Sequence, residues 1–189
     1  MYPNLVSHIR RFVSLSEDEA QQLFPFIKPL QVKKKGFILK EGQYCKADYF
    51  VEKGCLRMFF INEKGIEQIT QFALEHWWMA DYFSLLNKTK TPFNIQAVEN
   101  SEVLCFDLKT QTALFKQIPQ IETYFRMVAQ KAFAASQMRI KFFHDFSKEE
   151  SYHHFNNLFP EFVQRVPQYM LASYLGLTPE YLSEIRKKK

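Results

Sequence analysis

The sequence predicts an α+β chain: an N-terminal antiparallel, double-stranded β-roll of the jelly-roll kind, one long helix, and a C-terminal all-α helix-turn-helix domain. Three observations carry this. Between about Leu30 and Leu108, short alternating apolar segments are separated by turn signals with no long helix between them. From Pro119 to about Phe146, apolar residues recur in four- and three-residue steps. Beyond Ser147 the helical segments are interrupted at Pro160, Pro167 and Gly176. Hydrophobic residues make up 47% of the 189 positions, enough for a sizeable core, so intrinsic disorder is excluded as the main state.

Ser16-Glu17-Asp18-Glu19 is a capping box, in which Ser16 accepts from the Glu19 amide and the Glu19 carboxylate reaches back. It opens a short helix that stops near Pro25. Phe37-Ile38-Leu39, Tyr49-Phe50-Val51 and Leu56 to Ile61 read as strands. Their turns are Lys35-Gly36, Glu41-Gly42, Lys53-Gly54 and Asn62-Glu63-Lys64-Gly65, and the pattern continues through Ile66 to Leu74 and Phe93 to Phe106. Pro119 suits the first turn of the long helix. Its stripe is Ile121, Phe125, Val128, Ala132, Ala135, Arg139, Phe142 and Phe146, broken only by Arg139. A helix of about 28 residues, at roughly 1.5 Å each, outruns one small roll. Dimerisation through Ile121, Phe125, Val128, Ala132 and Ala135 is therefore expected, the alternative being a helix lying on its own sheet. Ser147-Lys148-Glu149-Glu150, a second capping box, starts a new domain of three short helices. The expected domains are 1–116, 117–146 and 147–189.

The net charge of +5 and pI near 9.0 favour polyanion binding only weakly, because the charge is unevenly placed. Residues 147–189 hold six Lys or Arg against five acids, and four of the six are Arg186 to Lys189. No apolar run approaches the roughly 18 residues of a membrane span, and Met1-Tyr2-Pro3-Asn4 does not open a signal peptide. Cys45, Cys55 and Cys105 are scattered, giving neither a disulfide framework nor a metal knuckle. A reduced, cytoplasmic protein without a membrane partner is the expectation.

Val166 to Lys189 carries the most specific pattern. Ala172 lies four residues before Gly176, which suits close helix crossing and a left-handed turn. Thr178 caps the next helix and Pro179 fits its first position, while Leu182 and Ile185 share one apolar face. Pro179, Glu180, Ser183, Glu184 and Lys187 are left facing outwards. A recognition helix enters the major groove by its N-terminal half, where Glu180 can accept from a cytosine amino group. Thr178, Arg186 and Lys187 suit phosphate, and Tyr181 and Ser183 complete the candidate DNA-binding set. Glu180 and Glu184 together repel phosphate, so one of them should contact a base, pair with a cation or stay clear of the backbone.

Both halves together resemble the Crp/Fnr family of transcription regulators, over about residues 10–189. Lys35-Gly36, Glu41-Gly42, Tyr49-Phe50-Val51 and Lys53-Gly54 are similar to that family's cyclic-nucleotide-binding-type domain. Leu175-Gly176-Leu177-Thr178-Pro179-Glu180-Tyr181-Leu182-Ser183 looks like the helix-turn-helix of its Bacteroidetes-type members. The resemblance implies a homodimer on double-stranded DNA, with RNA polymerase as a further partner. Members that bind cAMP carry a Gly-Glu pair and a later Arg-Ser or Arg-Thr pair around the phosphate. Ala80-Asp81 and Thr91-Pro92 stand there instead, and no Arg lies between Arg57 and Arg126. Lys88 and Lys90 lack the bidentate fork, and His76-Trp77-Trp78 adds bulk. The effector is therefore an unknown small molecule other than cAMP, or none. Trp78, Asp81, Thr91 and Asn94 are the candidate pocket, walled by the long helix, where Ala134-Ala135 replaces polar contacts.

Iron–sulfur sensing needs clustered cysteines, and haem needs axial ligands where the roll offers only His76. His153-His154 faces two ways on a helix and suits no metal. Many family members continue past Lys189 into a β-hairpin wing; without one, binding is expected to lean on the basic helix end and on dimer avidity. Two other classes compete with a regulator. One is a ligand-binding or protein-interaction module that no longer binds DNA, prompted by the paired glutamates. The other is a cupin-like enzyme, disfavoured by a roll with one His. No Ser/His/Asp or Cys/His spacing marks a catalytic site.

Overall fold

A computed structural model of the chain describes residues 2–187. Helices α1 (Pro3–Arg10) and α2 (Glu17–Leu23) lead through a 3-10 turn at Phe24–Phe26 into strand β1 (Ile27–Val32). Strands β2 (Phe37–Leu39), β3 (Ala47–Lys53), β4 (Leu56–Ile61), β5 (Glu67–Ala73) and β6 (Trp78–Met79) precede the short helix α3 (Tyr82–Asn87). Strands β7 (Asn94–Ala97) and β8 (Ser101–Asp107) are followed by α4 (Leu108–Gln117) and the long α5 (Pro119–Asp145). The last helices are α6 (Lys148–Leu158), α7 (Pro160–Arg165), α8 (Gln168–Leu175) and α9 (Pro179–Lys187). Breaks thus fall at all three expected positions, and they divide the C-terminal segment into four helices rather than three.

Two four-stranded sheets, ordered β1-β8-β3-β6 and β2-β7-β4-β5, form the roll. The pairings of β3 with β8 and of β4 with β7 are antiparallel. Strand β3 is buried on both faces, which explains why Tyr49-Phe50-Val51 is apolar without alternation. Tyr49, Val51, Met79 and Val103 turn into the roll with Leu56, Met58 and Ile95. Phe50, Trp78, Leu104 and Phe106 turn the other way, onto Leu5, Ile9, Leu23, Leu114, Ile121 and Tyr124 of the flanking helices. Each such large buried side chain contributes about 2–3 kcal/mol by area. Edge strand β1 tolerates Pro29 because an edge residue need not donate to a neighbour. Gly54 is fixed by contact: at φ +102° a Cβ there would stand 2.3 Å from Ser101 Oγ.

The chain forms two compact units. The first holds the described residues to Phe60 together with Gln71–Ala129; the second holds Ile61–Thr70 and the chain from Gln130 onward. The tip of the β4–β5 hairpin therefore belongs with α6–α9, and α5 is shared between the units. These boundaries differ from those expected from the sequence, which followed helix caps rather than contacts. Both capping boxes form: Ser16 accepts from Glu19 N and Ser147 from Glu150 N, each carboxylate reaching back. The second unit's core contains Tyr152, Phe162, Val166, Leu171, Ala172, Leu182 and Ile185.

Candidate nucleic-acid interface and effector site

Helix α8 ends at Gly176, whose backbone is left-handed at φ 68° and ψ 31°. A side chain there would meet open space, so the backbone conformation is what calls for glycine. Leu177 N donates to Ala172 O at 2.9 Å, closing the turn. Thr178 Oγ1 then accepts from Tyr181 N at 3.2 Å and caps α9. Ala172 and Leu182 are fully buried and Ile185 is 1% exposed, so the two helices cross on small and apolar groups. The opposite side of α9 carries Glu180, Ser183, Glu184, Arg186 and Lys187, all exposed, with Tyr181 half-buried. Lys188 and Lys189 lie outside the described residues. One flank of α9, at Ser183, Arg186 and Lys187, borders a hollow of about 790 Å³ whose far wall includes Tyr152, His153 and Asn156 of α6. His153 points toward Glu149, 4.0 Å away, whereas His154 packs on Phe142 and Phe146.

In the roll, Asp81 and Thr91 come together. Asp81 caps α3, accepting from Ser84 N at 3.2 Å through one oxygen and from Thr91 Oγ1 at 2.5 Å through the other. Both residues are buried, and Ser84 Oγ holds the following loop by donating to Thr89 O. The start of α3, where backbone amides would favour an anion, therefore faces the chain's own carboxylate. Asn94 turns to a different task, accepting from Glu41 N at 3.1 Å. Trp78 lies on the other face of its strand from Met79, so the sequence-based pocket does not assemble as one set. Its Nε1 donates to Tyr124 OH at 2.8 Å. The same hydroxyl lies 2.7 Å from His8 Nδ1, meeting it as donor or acceptor according to the His8 tautomer. Burial pushes the Tyr124 hydroxyl up, with the Trp78 bond opposing. Lys88, Lys90, Ala134 and Ala135 are all exposed. Burial also pushes the Cys45 thiol up and raises Cys105 to about 11, so both stay protonated.

Comparison with known proteins gives a consistent picture. The cyclic nucleotide-binding domain family matches residues 29–118. The Fumarate and nitrate reduction regulatory protein of Yersinia pestis is 27% identical over 186 residues, covering 91% of this chain and 73% of that protein. In fold, FixK2 from Bradyrhizobium japonicum is similar with a TM-score of 0.67 at 17% identity, over 86% of this chain and 83% of that one. The Catabolite Activator Protein of Thermus thermophilus follows at 0.59 and 17%, over 93% and 84%. In sequence and fold the chain is similar to regulators of the Crp/Fnr type. The matched domain spans the roll from within β1 to just past α4, and the similarity to the regulatory protein runs on through the helical segment.

On the long helix, the expected stripe packs within the molecule toward its two ends and is exposed in its middle. Ile121 is fully buried, and Phe125 and Val128 pack on the first unit's core. Farther along, Arg139 donates to Thr70 O, while Phe142 stacks on Phe146 at 5.0 Å. Ala132 and Ala135 are exposed. The exposed apolar line runs one residue on: Ala129, Phe133, Ser136, Ile140 and Phe143, again in steps of four and three. Phe133, Ile140 and Phe143 are 66%, 61% and 77% exposed. Sequence periodicity missed this line because two adjacent stripes share one spacing, and burial separates them only at Ile121, Phe125, Val128 and Phe142. Tyr124 and His8 were missed as well, since a hydroxyl and an imidazole 116 residues apart leave no local signal.

Proposed function

We propose that this Crp/Fnr-type chain is a dimeric, DNA-binding transcription regulator, not an enzyme, whose cyclic-nucleotide site is closed by its own side chains. The observation that carries the reading is the α8–Gly176–α9 arrangement, with its apolar side buried and a polar side exposed along one short helix. In this reading α8 and α9 form the helix-turn-helix and α9 lies in the major groove. Glu180 accepts from a base amino group there, Ser183 and Tyr181 flank it, and Thr178, Arg186 and Lys187 hold phosphates. The relatives' regulatory names support the same class.

The dimer is formed by two copies of α5 meeting along Ala129, Phe133, Ser136, Ile140 and Phe143. The spacing is that of a coiled-coil seam, and Phe and Ile so exposed are costly to leave in water. The roll does not bind cAMP, because Asp81 and Thr91 satisfy each other where a phosphate would sit and the sequence places no Arg between Arg57 and Arg126. Selection of a preferred site from random DNA, followed by binding of variants, tests the assignment. Glu180→Ala should relax base preference at one position per half-site, by about 1–3 kcal/mol of discrimination. Unchanged preference would remove Glu180 from the reading set. Failure to enrich any sequence would favour a module that has lost DNA binding.

A further inference from the structure

The tip of the β4–β5 hairpin, Ile61–Thr70, shares a compact unit with the C-terminal helices, and the join is polar and specific. On α8 the Ser173 hydroxyl donates to Glu67 O at 2.8 Å and accepts from Ile69 N at 3.0 Å. One short side chain thus satisfies a donor and an acceptor of β5, which only a hydroxyl on so short a stem can do. Arg139 of α5 completes the join, donating to the carbonyls of Thr70 and Tyr174 while its guanidinium lies 4.2 Å from the centre of the Tyr174 ring. The residue that breaks the apolar stripe of α5 therefore has a defined task within this unit.

We infer that Ser173 and Arg139 are positioning residues for DNA reading: they dock α8 on the hairpin tip and so fix the orientation of α9. This rests on the DNA-binding reading above. The docking engages Ser173 and Tyr174, and Glu180, Ser183, Arg186 and Lys187 of α9 stay exposed with it in place. The contact therefore pre-organises the reading helix and does not mask it. A held helix loses less orientational freedom on binding, and the advantage is largest when two heads must engage one duplex together.

The full-length protein tests this with Ser173→Ala and the conservative Ser173→Thr. Two quantities are measured: amide exchange at Ile69 without DNA, and affinity for a selected two-half-site duplex against a single half-site at equal salt. Ser173→Ala should speed Ile69 exchange and weaken two-half-site binding about three- to tenfold, with a smaller loss on the half-site. Ser173→Thr should restore both. Unchanged exchange at Ile69, or two-half-site affinity that is unchanged, would overturn the inference; affinity that rises would make the contact inhibitory and overturn it too. A wild-type protein that binds neither duplex at low salt would remove the DNA reading itself, and this role with it, whatever the exchange shows.

Discussion

Asp48 on β3 is 4% exposed, and burial pushes its carboxyl above the usual range while the Tyr82 hydroxyl and the Gln111 amide, 2.7 Å away, pull it down. A carboxyl whose folded value is raised favours the folded state when protonated, and that advantage is lost as pH rises through the folded value. Asp48→Asn should therefore stabilise the protein at pH 7 by about 1 kcal/mol, the scale for an under-bonded buried polar group. At pH 3 it should make little difference. Urea unfolding at the two pH values checks this, and an equal effect at both would mean that Asp48 carries no linkage. Tyr124→Phe leaves Trp78 Nε1 and His8 Nδ1 without the hydroxyl they share, and should cost about 1–3 kcal/mol in the same measurement. Residue roles were only partly legible in the sequence. Asp81 and Thr91 stood out as replacements for a phosphate site, and they do meet. Trp78 did not declare its face, because a two-residue strand such as β6 has no period to read.

Elements with local chemistry of their own were the legible ones. Ser16 and Ser147 announce α2 and α6 through reciprocal caps, and Gly176 with Thr178 announces the turn into α9. Helix α1 has no side-chain cap to announce it, although Leu5, Val6 and Ile9 form its buried face, and α3 is only six residues long with Phe83 and Leu86 exposed. The long helix was legible as an element, and its most exposed apolar side chains, Phe133, Ile140 and Phe143, lie one residue on from the stripe read in the sequence. That difference is testable. Phe133→Glu with Ile140→Glu should convert the protein to monomers in sedimentation while leaving its unfolding midpoint near wild type. Val128→Glu, which intrudes on the first unit's core, should lower the midpoint instead. A double variant that sediments as wild type would remove this seam from the account.

At the scale of the whole molecule, composition said little: a charge of +5 over 189 residues does not identify a nucleic-acid binder. Order along the chain said more, since roll, long helix and paired short helices form a specific sequence of parts. The regrouping of the hairpin tip with the C-terminal helices was beyond sequence reading, because Ser173 and Glu67 are 106 residues apart and polar contacts at that range follow no period. The central claim is that this assembly binds DNA through α9. Its most direct test is the affinity of the full-length protein for its selected duplex, measured across salt concentrations for wild type and Lys187→Ala. The account predicts that the logarithm of affinity falls linearly with the logarithm of salt, and that Lys187→Ala weakens binding and lowers the slope by about one. Binding that is absent at low salt, or indifferent to salt, would contradict it.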